Sequence, residues 1–169
     1  SGYGAVAEYA TIDNAIERGY TIVRTRQDLE NVKPGDKIWG DATNDSSPYD
    51  IKLTQEQPTL EQMTKAAITA LSGDEDGFFL MVEGACIDKF SHDNEFEGAT
   101  MSTVEFDKAV KAALDFAAAD GETLVVVTAD HETGGIVLND DGSYSFTQGS
   151  HSAADVPLLV YGTDTFIED

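Results

Sequence analysis

The chain has 169 residues, enough for one domain with a real core. Its 41% hydrophobic and 25% charged residues match an ordinary globular composition. Lys and Arg number 10 against 32 Asp and Glu, a formal net charge of −22, which repels nucleic-acid backbones and anionic lipid and so excludes both as expected partners.

No apolar run approaches the ~20 residues of a membrane helix. Cys86 is the only cysteine, so no internal disulfide can form and cysteine use says nothing about redox compartment. The start at Ser1-Gly2-Tyr3-Gly4 lacks a basic region and a hydrophobic stretch and reads as a boundary rather than a signal peptide. Three accounts of the acidity stand open: a solvated surface, adaptation to salt, and a cation-binding cluster that explains only neighbouring carboxylates.

In chain order, residues 11–18 have helical character stopped by Gly19, and residues 20–24 are a short β-rich run. Residues 25–30 suit a second short helix, Pro34-Gly35-Asp36 a turn, and residues 37–40 a short strand. Residues 41–57 are polar and irregular and read as a surface loop. Thr59 and Gln62 fit a capping box, with Leu60, Met63, Ala67 and Leu71 at helical spacing behind it and Gly73 as the stop. Asp74-Glu75-Asp76-Gly77 is a turn, since its ligand spacing does not match a calcium loop.

The continuous apolar run 78–82, Phe-Phe-Leu-Met-Val, predicts a strand buried on both faces. Ser102 and Glu105 form a second capping box, and Phe106, Val110, Ala113, Leu114 and Ala117 make one helical face ending near Gly121. The runs 124–127 and 158–161 are two further apolar strands. Strand, helix and strand at this spacing predict a βαβ unit in a parallel sheet.

Ligands of open parallel sheets bind beyond the carboxyl ends of the strands. After the first apolar run come Glu83, Asp88 and His92; after the second come Asp130 and His131. Asp88 and His92, four residues apart, share a face if they lie on a helix. The three histidines of the chain are His92, His131 and His151, and the last lies in a small-residue loop before the final run. Carboxylate with imidazole is a common zinc set, although such pairs also occur as plain surface residues; composition and spacing leave both readings open.

The wording of the motifs adds to this. Met81-Val82-Glu83-Gly84, followed by Ile87-Asp88 and His92, resembles a signature segment of alkaline phosphatases. Val127-Thr128-Ala129-Asp130-His131-Glu132-Thr133-Gly134-Gly135 resembles a second, in its bacterial form, and His151 followed by Asp155-Val156-Pro157 resembles a third. They stand in the family's order, and residues 19–23 and the helix from Thr59 are similar to the stretch before them. The resemblance implies an α/β chain with a partial three-layer αβα alkaline-phosphatase-like fold. Its sheet is expected to be mainly parallel, to contain residues 78–82, 124–127 and 158–161, and to have one open edge through which a homo-oligomer could form.

The resemblance also implies roles. Asp88, His92 and His151 would bind a first zinc, Asp130 and His131 a second, and Glu83 magnesium, while Lys89 would approach the phosphate. The implied reaction is phosphoryl transfer from a phosphate monoester to a serine and then to water, and the implied compartment is periplasmic or extracellular. Cys86, Glu132 and Thr133 read as structural, with Gly134-Gly135 as a tight turn. The family's nucleophilic serine has no counterpart: Asp45-Ser46-Ser47 imitates its motif but stands in the wrong order and before a proline. The bridging aspartate, the phosphate-clamping arginine and the magnesium-site hydroxyl are also without counterparts. Residues 1–169 are therefore expected to be a single partial catalytic domain, its C-terminal portion, inactive alone. The alternative is a non-catalytic zinc-binding module derived from that fold. A phosphomutase or sulfatase branch is a third reading, and the wording around Asp130 argues against it.

Overall fold

The computed structural model describes residues 12–40 and 58–162. The start at Ser1, the loop 41–57 and its Asp45-Ser46-Ser47 lie outside the described residues. The chain divides into two compact units: one holds the described residues through Met81, the other those from Val82 onward.

The first unit runs α1 (Ile12–Glu17), β1 (Thr21–Val23), α2 (Arg26–Glu30), β2 (Ile38–Gly40) and α3 (Leu60–Leu71). β1 and β2 pair in parallel, Thr21 opposite Ile38 and Val23 opposite Gly40. Each of the two later helices opens on a capping box. At α2, Thr25 Oγ1 accepts from the Asp28 N–H, and the Asp28 carboxylate accepts the Thr25 N–H. At α3, Thr59 and Gln62 exchange the same pair of bonds at 3.2 and 2.9 Å, as their spacing predicts. The buried face of α3 is rotated from the expected one. Thr64, Ala66, Ile68 and Ala70 are buried while Met63 is 40% exposed. A turn also docks at its C-terminal end. The Gly35 N–H donates to the Ala70 carbonyl at 2.8 Å, docking the Pro34-Gly35 turn there. A Cβ on Gly73 would lie 2.6 Å from the Gly35 nitrogen, so small residues face the turn.

The second unit runs α4 (Ala85–His92), α5 (Phe96–Asp120), β3 (Val125–Thr128), β4 (Glu132–Thr133), β5 (Ile136–Leu138), β6 (Tyr144–Phe146), β7 (His151–Ser152) and β8 (Leu158–Tyr161). α4 packs on α5. Phe90 on α4 is 7% exposed, and its ring fills the space where a side chain at Gly98 on α5 would stand. α5 starts at Phe96, not at the expected Ser102–Glu105 box, and Ser102 is buried inside it. The cap is missing at Ser102 because the helix already runs through that position from the tight turn at Asn94 (φ 57°). Gly121, at φ 79°, ends the helix as predicted.

The strand prediction needs two corrections. Residues 78–82 form no strand, and Phe79 and Met81 stand 89% and 77% exposed. Among the described residues no strand pairs with this run, and a buried strand needs a neighbouring strand to take its backbone hydrogen bonds. Second, β3 and β8 pair antiparallel, Val125 opposite Tyr161 and Thr128 opposite Leu158. β1–β2 is the one parallel pair among four two-stranded ladders in the described residues, so the mainly parallel sheet is not what these residues form. The cause is the connection. β4 pairs with β7 and β5 with β6, both antiparallel, so residues 125–161 are one nested hairpin. A chain that returns through a hairpin arrives antiparallel, whereas a parallel pair needs a crossover. Among the described residues no helix is long and apolar enough to cross a membrane.

Candidate metal centre

Two elements of the second unit carry the chemistry. α4 presents Asp88 and His92 one turn apart, as the i,i+4 spacing requires. The ladder between β4 and β7 sets Thr133 opposite His151, so the hairpin carries His151 back beside a residue eighteen positions earlier. The turn after β4 needs glycine. Gly134 has φ 91°, and a Cβ there would lie 2.6 Å from the Phe146 ring. Glu132 fastens the turn: its Oε1 accepts the Gly135 N–H at 2.8 Å and its Oε2 accepts the Ser152 hydroxyl at 2.5 Å. The structural reading of Glu132 and of the two glycines agrees with this geometry.

Asp88, His92 and His151 meet at one point. Their ligand atoms all lie within 4.8 Å of one another. His92 Nε2 is 3.0 Å from His151 Nε2 and 3.4 Å from Asp88 Oδ1, and His151 Nε2 is 3.6 Å from the same oxygen. Zinc bonds near 2 Å in a tetrahedron imply ligand-to-ligand edges of roughly 3.3 Å, and the three edges bracket that value. The His92 Nδ1–H donates to the Gly149 carbonyl at 2.9 Å, which leaves the Nε2 lone pair for the shared point. Two imidazole nitrogens held this close repel unless a proton or a cation lies between them. The donor set and its spacing therefore fit a zinc ion.

The second pair is adjacent. His131 Nε2 lies 3.4 Å from Asp130 Oδ2, and the His131 ring stacks on that of His151 at 3.5 Å between centroids. Asp130 is mostly exposed, its side chain at 89%, and His131 is half-buried. Glu83 precedes α4, is exposed and does not join the group formed by Asp88, His92 and His151; Lys89 follows Asp88 on α4. Cys86 is half-buried on α4 and also stands outside that group. Thr133, read from the sequence as structural, lies inside the site. It is 8% exposed, and its hydroxyl donates to Asp88 Oδ1 at 2.6 Å. No spacing in the sequence relates Thr133 to Asp88; only its place beside His131 in the motif could have marked it.

Comparison with known proteins places the chain in a family. A family model described as alkaline phosphatase matches residues 6–165. Alkaline phosphatase 3 of Bacillus subtilis (strain 168) is 44% identical over 128 residues, which are 76% of this chain and 28% of that protein. The alkaline phosphatase of Escherichia coli (strain K12) is 47% identical over 107 residues, 62% of this chain and 23% of that protein. The solved alkaline phosphatase of the Antarctic bacterium TAB5 superposes with a TM-score of 0.71 at 33% identity, over 89% of this chain and 47% of that one. A mutant of the TAB5 enzyme has Mg bound in its M3 site, and it matches with a TM-score of 0.68 at 30% identity. The chain thus spans under a third of these curated relatives and under half of the TAB5 structures. With the family model covering nearly its whole length, the chain belongs to the alkaline phosphatase family.

Proposed function

We propose that this chain is the C-terminal portion, residues 1–169, of the catalytic domain of a metal-dependent phosphate monoester hydrolase. One observation carries the reading: in a chain of this family, Asp88, His92 and His151 converge from a helix and a hairpin onto one point with zinc-like spacing. In this reading those three hold a first zinc, Asp130 and His131 take part in holding a second, Glu83 contributes to a magnesium site, and Lys89 approaches the phosphate. The ions, when bound, supply positive charge at the attacking and leaving oxygens of phosphoryl transfer. The chain's own residues orient those donors. Gly149 holds the His92 ring, the β4–β7 ladder sets His151, and α4 aims Asp88. We further propose that the whole protein acts in the periplasm or outside the cell, as the family resemblance of the sequence implies.

No residue of the chain matches the family's nucleophile motif, so the chain by itself is inactive in this reading. Phosphoryl transfer depends on positioning and on charge stabilisation around the moving group, and one zinc-like triad supplies only part of both. The purified chain should show no enzyme-like turnover of an aryl phosphate with zinc and magnesium present. Adding the preceding part of a family catalytic domain as a separate polypeptide should raise turnover. Zinc-dependent hydrolysis by the chain alone, with phosphoserine trapped at Ser46 or Ser47, would overturn this reading.

A further inference from the structure

Thr133 connects the two candidate metal sites. Its Oγ1 lies 2.6 Å from Asp88 Oδ1 and 3.1 Å from His131 Nδ1. A hydroxyl has one proton to give and lone pairs to receive. An ionised carboxylate only accepts, so the proton of Thr133 goes to Asp88. The Thr133 oxygen then accepts, and the proton it accepts is on His131 Nδ1. That order leaves the His131 lone pair on Nε2, the nitrogen 3.4 Å from Asp130 Oδ2.

We propose that Thr133 is a positioning residue that couples the two candidate zinc sites: it holds the Asp88 carboxylate in place and selects the tautomer of His131. The proposal rests on the reading that Asp88 and His131 hold metal. Burial sharpens it. Thr133 is 8% exposed and paired in the ladder with His151, so its hydroxyl is held on this side by the backbone and has little water to bond instead. Removing the hydroxyl would leave one Asp88 oxygen and the His131 Nδ1 nitrogen without this partner. The same hydrogen-bonded chain means that occupancy of one site favours the donor order needed at the other.

The test uses the full chain with two substitutions. Thr133→Val keeps the shape and removes the hydroxyl, and Thr133→Ser keeps the hydroxyl. Two readouts are taken: zinc affinity by titration calorimetry, and the His131 ring proton by nitrogen NMR of the metal-free protein at alkaline pH. Thr133→Val should weaken zinc binding by roughly 10- to 100-fold, the usual effect of losing a partner behind a metal ligand. It should also spread the His131 proton over both nitrogens. Thr133→Ser should restore both properties. Unchanged zinc affinity in Thr133→Val, or an unchanged His131 tautomer, would overturn the coupling. If Thr133→Val does not fold, the wild-type spectrum still decides, because a His131 protonated at Nε2 contradicts the proposed order. If the wild-type chain binds no zinc, the metal reading fails, and the metal-free spectra separately decide whether Thr133 sets His131.

Discussion

At the scale of single residues, the two candidate zinc sites are unequal. Asp88, His92 and His151 supply three donors, a working zinc arrangement with an open fourth position, while Asp130 and His131 supply two. Calorimetric titration should therefore show that His92→Ala removes most of the chain's zinc affinity and that His131→Ala removes less. Equal losses would contradict the ranking. Away from the site, Asp28 offers a pH test. The Arg24 N–H bond chiefly, together with those of Thr25, holds its carboxyl below the usual carboxylate value. A lowered folded value means that its contribution is complete above the ordinary carboxylate value and is lost as pH falls through the folded one. The gap in melting temperature between wild type and Asp28→Ala should accordingly close on acidification through that window, and a gap that widens there would refute the sign.

At the scale of elements, the contact between α4 and α5 positions the centre, because Asp88 and His92 ride on α4. At Gly98 the Phe90 ring of α4 lies directly against the α5 backbone. Alanine is the better helix former by ~1 kcal/mol, yet its methyl would collide with a ring that is itself 7% exposed. Overpacking of this kind costs about 1–3 kcal/mol, so Gly98→Ala should lower stability in urea titration in spite of its higher propensity. It should also weaken zinc binding, since α4 must shift to make room. A stabilised variant would show that the ring moves aside freely. The nested hairpin is the other element on which the centre depends. β4 and β7 are only two residues each, and Glu132 supplements their short ladder by binding the turn and Ser152.

At the scale of the whole molecule, charge dominates. A formal charge of −22 repels itself in the compact state, and salt screens that repulsion. The melting temperature should rise between dilute buffer and molar potassium chloride, and a flat response would mean that the acidic residues are too widely spaced to oppose folding. The acidity also bears on the metal centre, since a negative surface draws divalent cations toward it. Apolar exposure is the second large-scale feature. Val126, Leu159 and Val160 in the β3–β8 pair are 48%, 61% and 46% exposed, more apolar surface than a sheet normally leaves to water.

Much of this was legible in the sequence. Local rules placed the capping box at Thr59 and the stops at Gly19, Gly73 and Gly121, because caps and glycines act over three or four residues; the box expected at Ser102 failed because α5 already runs through it. The i,i+4 spacing put Asp88 and His92 on one face for the same local reason, and the motif wording identified the family. Tertiary structure alone decided what depends on distant partners. Residues 78–82 have the composition of a buried strand, but a strand exists only where another pairs with it. The runs 124–127 and 158–161 were recognisable as strands, yet their antiparallel sense came from the nested hairpin between them, which no single run encodes. The same hairpin brings His151 beside Thr133, and both meet Asp88 because α4 lies against β4, whereas the contact of Thr133 with His131 is local, two residues apart. Local sequence specified the donors, and the long-range return of the chain set which of them meet.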